Sequence, residues 1–111
     1  MGKNDESMPD ITPSLTIRGV RLWKGAISPA GQSALVSDVR SVVAQAPLYV
    51  PMTPSGKKMS VRMTSAGRVG WVTDRAGYRY EPRHPSGVPW PPIPRSVLEL
   101  WQAYSGTERP P

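Results

Sequence analysis

The sequence predicts a small α+β domain, and three observations predict it. The stretch Met59–Tyr80 alternates apolar and polar residues with the period of β-strands. Leu35, Val39, Val42, Val43 and Ala46 recur at the spacing of one helix face. Fourteen prolines and ten glycines in 111 residues leave much of the chain for turns and irregular segments. With 38% hydrophobic residues, such a chain supports one modest core.

The first fourteen residues are polar, contain Pro9 and Pro13 and have no periodicity, so a disordered tail or a surface strap is expected there. Leu15 to Lys24 (LTIRGVRLWK) is rich in β-branched residues and reads as one strand with a glycine at its middle and Trp23 in the core. Ser28 is a favoured helix cap and Pro29 suits a first helical turn. The helix they open carries the apolar stripe named above and stops at Pro47, which cannot continue the hydrogen-bond ladder. It reads as scaffold.

Leu48 to Met52 is a short extended piece broken by Pro51, and Thr53-Pro54-Ser55-Gly56 is a turn. A three-stranded antiparallel meander then follows. Met59, Val61 and Met63 share a face in its first strand, and Val69, Trp71 and Thr73 share one in the second. Tyr78 and Tyr80 flank Arg79 in the third, and Asp74-Arg75-Ala76-Gly77 supplies the turn before it.

Six prolines between Pro82 and Pro94 exclude a helix or an inner strand there. Pro89-Trp90-Pro91-Pro92 has two readings, an exposed polyproline ligand or a tether laid into a groove of its own domain, and we favour the tether. A last helix is predicted from about Pro94 to Tyr104, with Val97, Leu100, Trp101 and Tyr104 on its apolar side and Gly106 placed to end it.

Charge narrows the function. Between Lys57 and Arg83 stand seven basic residues against Asp74 and Glu81, which is +5 of a net +6. A basic sheet that also carries aromatics suits a polyanion, nucleic acid above all. The alternative is an ordinary solvated strand face. The chain has no cysteine, so disulfides and thiolate metal sites are excluded. No apolar run approaches the ~18 residues of a membrane span, and no signal peptide is seen, so a soluble, cytoplasmic protein is the default expectation.

One set of residues points further. Met52-Thr53-Pro54, Gly56, Met59-Ser60-Val61, Met63-Thr64, Gly67, Gly70-Trp71, Thr73, Gly77-Tyr78, Tyr80, Pro82 and Pro89-Trp90-Pro91 occur together at set spacings. The composite, over about Val20 to Leu100, resembles the amino-terminal part of the AlkB family, the Fe(II)- and 2-oxoglutarate-dependent dioxygenases that repair alkylated DNA. The resemblance implies that residues 15–106 form a nucleotide-recognition lid. Residues 107–111 would then be a linker toward a double-stranded β-helix barrel that this chain lacks. It implies a substrate of 1-methyladenine or 3-methylcytosine in single- or double-stranded DNA, with RNA as a further candidate, and a monomer.

The resemblance also implies roles for residues. Trp71 would stack on the flipped damaged base and Met63 would line the same pocket. Tyr78 would bond a neighbouring phosphate, with Arg79 and Tyr80 in the same contact strand, and Thr53, Met59 and Ser60 would track the backbone. Lys57, Lys58 and Arg62 are the expected phosphate contacts. Lys57 stands where the family often has an aromatic, and Ser65-Ala66 replaces a frequent Asn-Cys pair.

The family's iron site needs a His-x-Asp pair and a distal histidine. This sequence has a single histidine, His84, followed by Pro85-Ser86 and expected at the surface. No catalytic or metal-ligating residue is therefore assigned. Fe(II) and 2-oxoglutarate belong to the complete family enzyme rather than to this chain, and the chain alone is expected to be inactive. The alternative is a non-catalytic nucleic-acid-binding module.

Overall fold

A computed structural model describes residues 12–107 and 109–111. The element order is β1 (Leu15–Ile17), β2 (Val20–Leu22), α1 (Pro29–Gln45), β3 (Gly70–Asp74), β4 (Gly77–Glu81) and α2 (Arg95–Tyr104). The tail expected over residues 1–14 lies almost wholly outside the described residues.

The amino-terminal strand is two strands. Leu15 pairs with Leu22 and Ile17 with Val20, so Arg18-Gly19 is a two-residue hairpin loop. Both loop residues have positive φ, 50° and 82°, the combination that matches the right-handed twist of the flanking strands. Glycine here is therefore a turn residue rather than a mid-strand one. Trp23 is not in the core. It is half-buried, with its ring edge-on to Tyr104 at 5.0 Å and the Arg21 guanidinium 5.4 Å from its centroid.

Helix α1 begins as its sequence dictates. The Ser28 hydroxyl accepts the Gly31 amide and Pro29 occupies the first turn. Its apolar stripe is only partly used, since Val42 and Ala46 are buried but Val39 is 47% exposed. Thr64 Oγ1 donates to the Ala46 carbonyl at 2.7 Å and so satisfies one of the open carbonyls at the helix end. Helix α2 docks on α1 through Ser96 Oγ, which donates to Asp38 Oδ2 at 2.6 Å.

The meander has two strands, β3 and β4, in one antiparallel sheet. The expected first strand does not form. Residues Tyr49–Met52 lie between it and β3. Tyr49 exchanges backbone bonds with Met63, Met59 donates to the Pro51 carbonyl, and Met52 donates to the Thr73 carbonyl. Pro51 has no amide to give, so pairing across this layer is reduced to the bridges Tyr49–Met63 and Met52–Lys58. The Thr53–Gly56 turn returns the chain for that pairing, with the Gly56 amide on the Thr53 carbonyl at 2.8 Å.

The core is small: Ala46, Val72 and Trp90, with Tyr49 against it. Pro51 is also fully buried. The proline-rich segment is the expected tether. Trp90 is 5% exposed, and its indole N–H donates to the Glu81 carbonyl at 2.7 Å. A Cβ at Gly70 would sit 2.5 Å from the Trp90 ring, so β3 can approach the indole only because residue 70 is glycine.

Candidate nucleic-acid interface

Hairpin β3–β4 has two chemically different faces. The register pairs Trp71 with Tyr80 and Thr73 with Tyr78 on one face, and Val72 with Arg79 on the other. On the first face Trp71 and Tyr78 stack at 5.8 Å between centroids with 16° between planes. Tyr78 and Tyr80 are 66% and 71% exposed. Planar rings lying open to solvent in this way offer a stacking surface. The Tyr49 hydroxyl donates to the Trp71 carbonyl at 3.3 Å, and Tyr49 is the residue that pairs with Met63. The backbones of Met63 and Trp71 are thus linked through one residue, Tyr49, that sequence reading did not single out.

The other face is an ion-pair network. Arg79 donates to both Asp74 carboxylate oxygens, at 2.8 and 2.9 Å, and through Nε to Glu81 at 2.5 Å. The Arg79 bond and the Ala76 amide hold the Asp74 carboxyl at about 2, well below its ordinary value. The same two carboxylates push the Arg79 guanidinium upward. Asp74 thus stabilises the fold fully above its unfolded-state value near ~3.9. That contribution is lost as pH falls from about 4 through about 2. Urea midpoints measured from pH 5 to pH 2 should fall for the wild type and change less over this window in Asp74→Asn. Equal slopes for the two proteins would show that the network does not set the acid limb.

The remaining sequence-assigned residues lie in the layer beyond Tyr49–Met52. Lys57, Lys58, Ser60 and Arg62 are exposed, and Met59 and Met63 are half-buried. The Thr53 hydroxyl is used inside its own turn, where it accepts the Lys57 amide at 3.1 Å and bonds Ser55 Oγ at 2.9 Å. Arg79 is in β4 but faces away from the aromatic pair.

His84 is not a surface residue. It is 6% exposed. The Ser86 amide donates to Nδ1, and Nε2 lies 2.7 Å from the Pro47 carbonyl. An amide can only donate and a carbonyl can only accept, so the ring is held as the Nε2–H tautomer. Its faces and edges meet Tyr49 and Trp90 at 5.3 and 5.4 Å. A single histidine in a proline-rich run gives no sequence signal of burial; only the fold supplies its partners. Beside it, a recess of about 420 Å³ is lined by Tyr49, Pro51, Val72, Arg79, Glu81 and His84 among others.

With this geometry in hand, comparison with known proteins defines the class. Residues 19–111 match the 2OG-Fe(II) oxygenase superfamily, and the chain belongs to it. Within that class its likeness is to the AlkB proteins. The chain is 42% identical over 100 residues to the alpha-ketoglutarate-dependent dioxygenase AlkB homolog of Caulobacter vibrioides, covering 89% of this chain and 46% of that protein. Identity to alpha-ketoglutarate-dependent dioxygenase AlkB of Escherichia coli is 44% over 89 residues, covering 79% of this chain and 40% of that one. To the AlkB protein of Salmonella typhimurium it is 47% over 72 residues, 64% of this chain and 33% of that one. The chain thus spans less than half the length of these curated relatives.

The superfamily takes its name from Fe(II) and 2-oxoglutarate. Among the described residues no three His, Cys, Asp or Glu side chains group as a metal site. The Nδ1 lone pair of His84 accepts the Ser86 amide and its Nε2–H donates to the Pro47 carbonyl, so neither nitrogen faces open space. The donor set among the described residues does not fit an iron centre. Among the described residues no helix is long and apolar enough to cross a membrane.

Proposed function

We propose that this chain is the nucleotide-recognition part of an AlkB-type dioxygenase that oxidatively demethylates N-alkylated bases, 1-methyladenine and 3-methylcytosine, in DNA. The observation that carries this reading is the stacked Trp71–Tyr78 pair with exposed Tyr80, set in a segment that holds +5 of the net charge. Residues 15–106 act as the recognition lid, and Fe(II) and 2-oxoglutarate are supplied outside it. A base methylated on a ring nitrogen is cationic, and an indole face both stacks on it and attracts its charge. The methylated atom is out of reach inside a duplex, so the base must leave the stack before chemistry. Trp71 receives it, and Met63 contributes a polarisable wall. Tyr78, Lys57, Lys58 and Arg62 meet phosphates, while Thr53, Met59, Ser60 and Tyr80 border the strand. Arg79, bound to two carboxylates, acts by stiffening the hairpin.

A second reading, a binding module without catalysis, is favoured by the engagement of the only histidine in structural bonds. Both readings require nucleic-acid binding, and binding is the test. Affinity of the chain for a single-stranded oligonucleotide should fall with salt at a log–log slope of about 0.7 per phosphate neutralised. One 3-methylcytosine in the oligonucleotide should tighten it. Affinity indifferent to both salt and methylation would overturn the reading. Demethylation on adding the downstream half of an AlkB relative would separate the oxygenase from the module.

A further inference from the structure

Gly56 has φ of +90°, a conformation that favours glycine, and the end of the Arg75 side chain lies over its open face. A Cβ at residue 56 would lie 2.6 Å from Cζ of Arg75 and 3.0 Å from Nη1. The Arg75 guanidinium therefore rests on the bare backbone of the Thr53–Gly56 turn, and the loop between β3 and β4 is laid against that turn. Among the described residues the guanidinium has no hydrogen bond or ion pair. Among the described residues the only salt bridges are those of Arg79, and they occupy both Asp74 and Glu81. Lys57 and Lys58 follow Gly56 directly and are exposed, and neither is in an ion pair among the described residues.

Three cations thus stand on or beside the Thr53–Gly56 turn, none paired with an acid among the described residues. One of the three, Arg75, is exposed but has its guanidinium laid against the turn backbone. This placement matters because a long side chain normally loses rotamer freedom on binding, and a seated guanidinium has lost part of it in advance. A planar fork of unspent N–H donors matches two oxygens of a phosphodiester, where an ammonium offers a point charge.

We propose that Arg75, seated on Gly56, is a phosphate-binding residue that grips the backbone of the nucleic-acid strand whose base lies on the Trp71–Tyr78 pair. The assignment rests on the nucleic-acid reading above and adds to it a residue chosen by the fold. It also gives Gly56 a second task, that of leaving room for the guanidinium.

The test measures affinity for a single-stranded oligonucleotide carrying one 3-methylcytosine across a salt series for wild type, Arg75→Ala, Arg75→Lys, Gly56→Ala, Trp71→Ala and Arg40→Ala. Arg40 is an exposed cation on α1 that reports the general field. Arg75→Ala should weaken binding about fivefold to tenfold at low salt and lower the salt slope by about 0.7. Arg75→Lys, which keeps the charge, should recover only part of the affinity. Gly56→Ala should weaken binding with no change in net charge, because it displaces the guanidinium; thermal melting shows whether that variant is folded. If it is not, the exposed Arg75 variants decide alone. Equal losses for Arg75→Ala and Arg40→Ala, with wild-type binding intact and Trp71-dependent, would overturn the Arg75 assignment and leave the nucleic-acid reading standing. A wild type that binds no oligonucleotide would overturn both.

Discussion

Trp90→Ala should cost about 3–5 kcal/mol of folding stability, the usual range for emptying a buried tryptophan site. The whole stability of a small domain is about 5–15 kcal/mol, so the variant should be largely unfolded near ambient temperature. The residue is 5% exposed and is one of only three in the buried cluster. Removing it leaves Ala46, Val72 and Gly70 facing a void, and no other large side chain in that cluster can close it. The Glu81 carbonyl also loses the indole N–H, and His84 loses one of its two ring neighbours. Trp90→Phe should recover part of the loss, since a ring remains but the hydrogen bond does not. Gly70→Ala attacks the same contact from the other side. Its methyl would fall 2.5 Å from the indole and 2.7 Å from Ser65 Cβ, and overpacking of this kind costs about 1–3 kcal/mol. Urea denaturation followed by far-UV circular dichroism gives all three values. A Trp90→Ala midpoint within 1 kcal/mol of wild type would mean that the tether is dispensable and the core lies elsewhere.

What the sequence made legible follows the range of the interactions concerned. Helix α1 and its Ser28 cap were readable because a cap and a stripe are local patterns. The Asp74–Gly77 turn was readable for the same reason. The Pro-Trp-Pro run was readable as a tether because its prolines exclude regular structure and its indole needs cover. The errors are non-local or turn on a single angle. Gly19 in LTIRGVRLWK was compatible with a bent strand or a two-residue loop, and only the positive φ of Arg18 beside it decides for the loop. Residues 59–63 alternate as a strand should, but alternation does not name a partner. Tyr49–Met52 takes the place beside β3, and Pro51 within it keeps the ladder irregular. His84 has partners 37 residues upstream and two downstream, and nothing in its neighbours announces either. In the candidate site, the aromatic face of β3–β4 was visible from period-two spacing. The commitment of Arg79 to Asp74 and Glu81, and the seat of Arg75 on Gly56, required the register and the turn geometry.

Trp71→Ala should weaken binding of a methylated oligonucleotide by about 1–3 kcal/mol, the usual worth of one base–aromatic stack, and leave binding of the unmethylated strand nearly unchanged. The structure separates this residue from the core more clearly than sequence could. Trp90, not Trp71, fills the buried cluster. The bond that Trp71 receives from Tyr49 goes to its carbonyl, so truncating the indole leaves that bond in place. Its ring neighbour Tyr78 is itself 66% exposed, so the pair forms an open surface rather than a packed layer. Melting temperature should therefore change far less in Trp71→Ala than in Trp90→Ala. Tyr78→Phe keeps the ring that stacks on Trp71 and removes only a hydroxyl, so its effect on methylated binding should be the smaller of the two. It should also appear equally with both oligonucleotides, as a phosphate contact would. The measurement is paired: thermal melting alongside titration of methylated and unmethylated strands for each variant. A large fall in melting temperature with an unchanged methylated-to-unmethylated ratio would return Trp71 to the role of a structural tryptophan. It would also withdraw the case for Met63 as a pocket wall, since Tyr49 ties the two positions to one site.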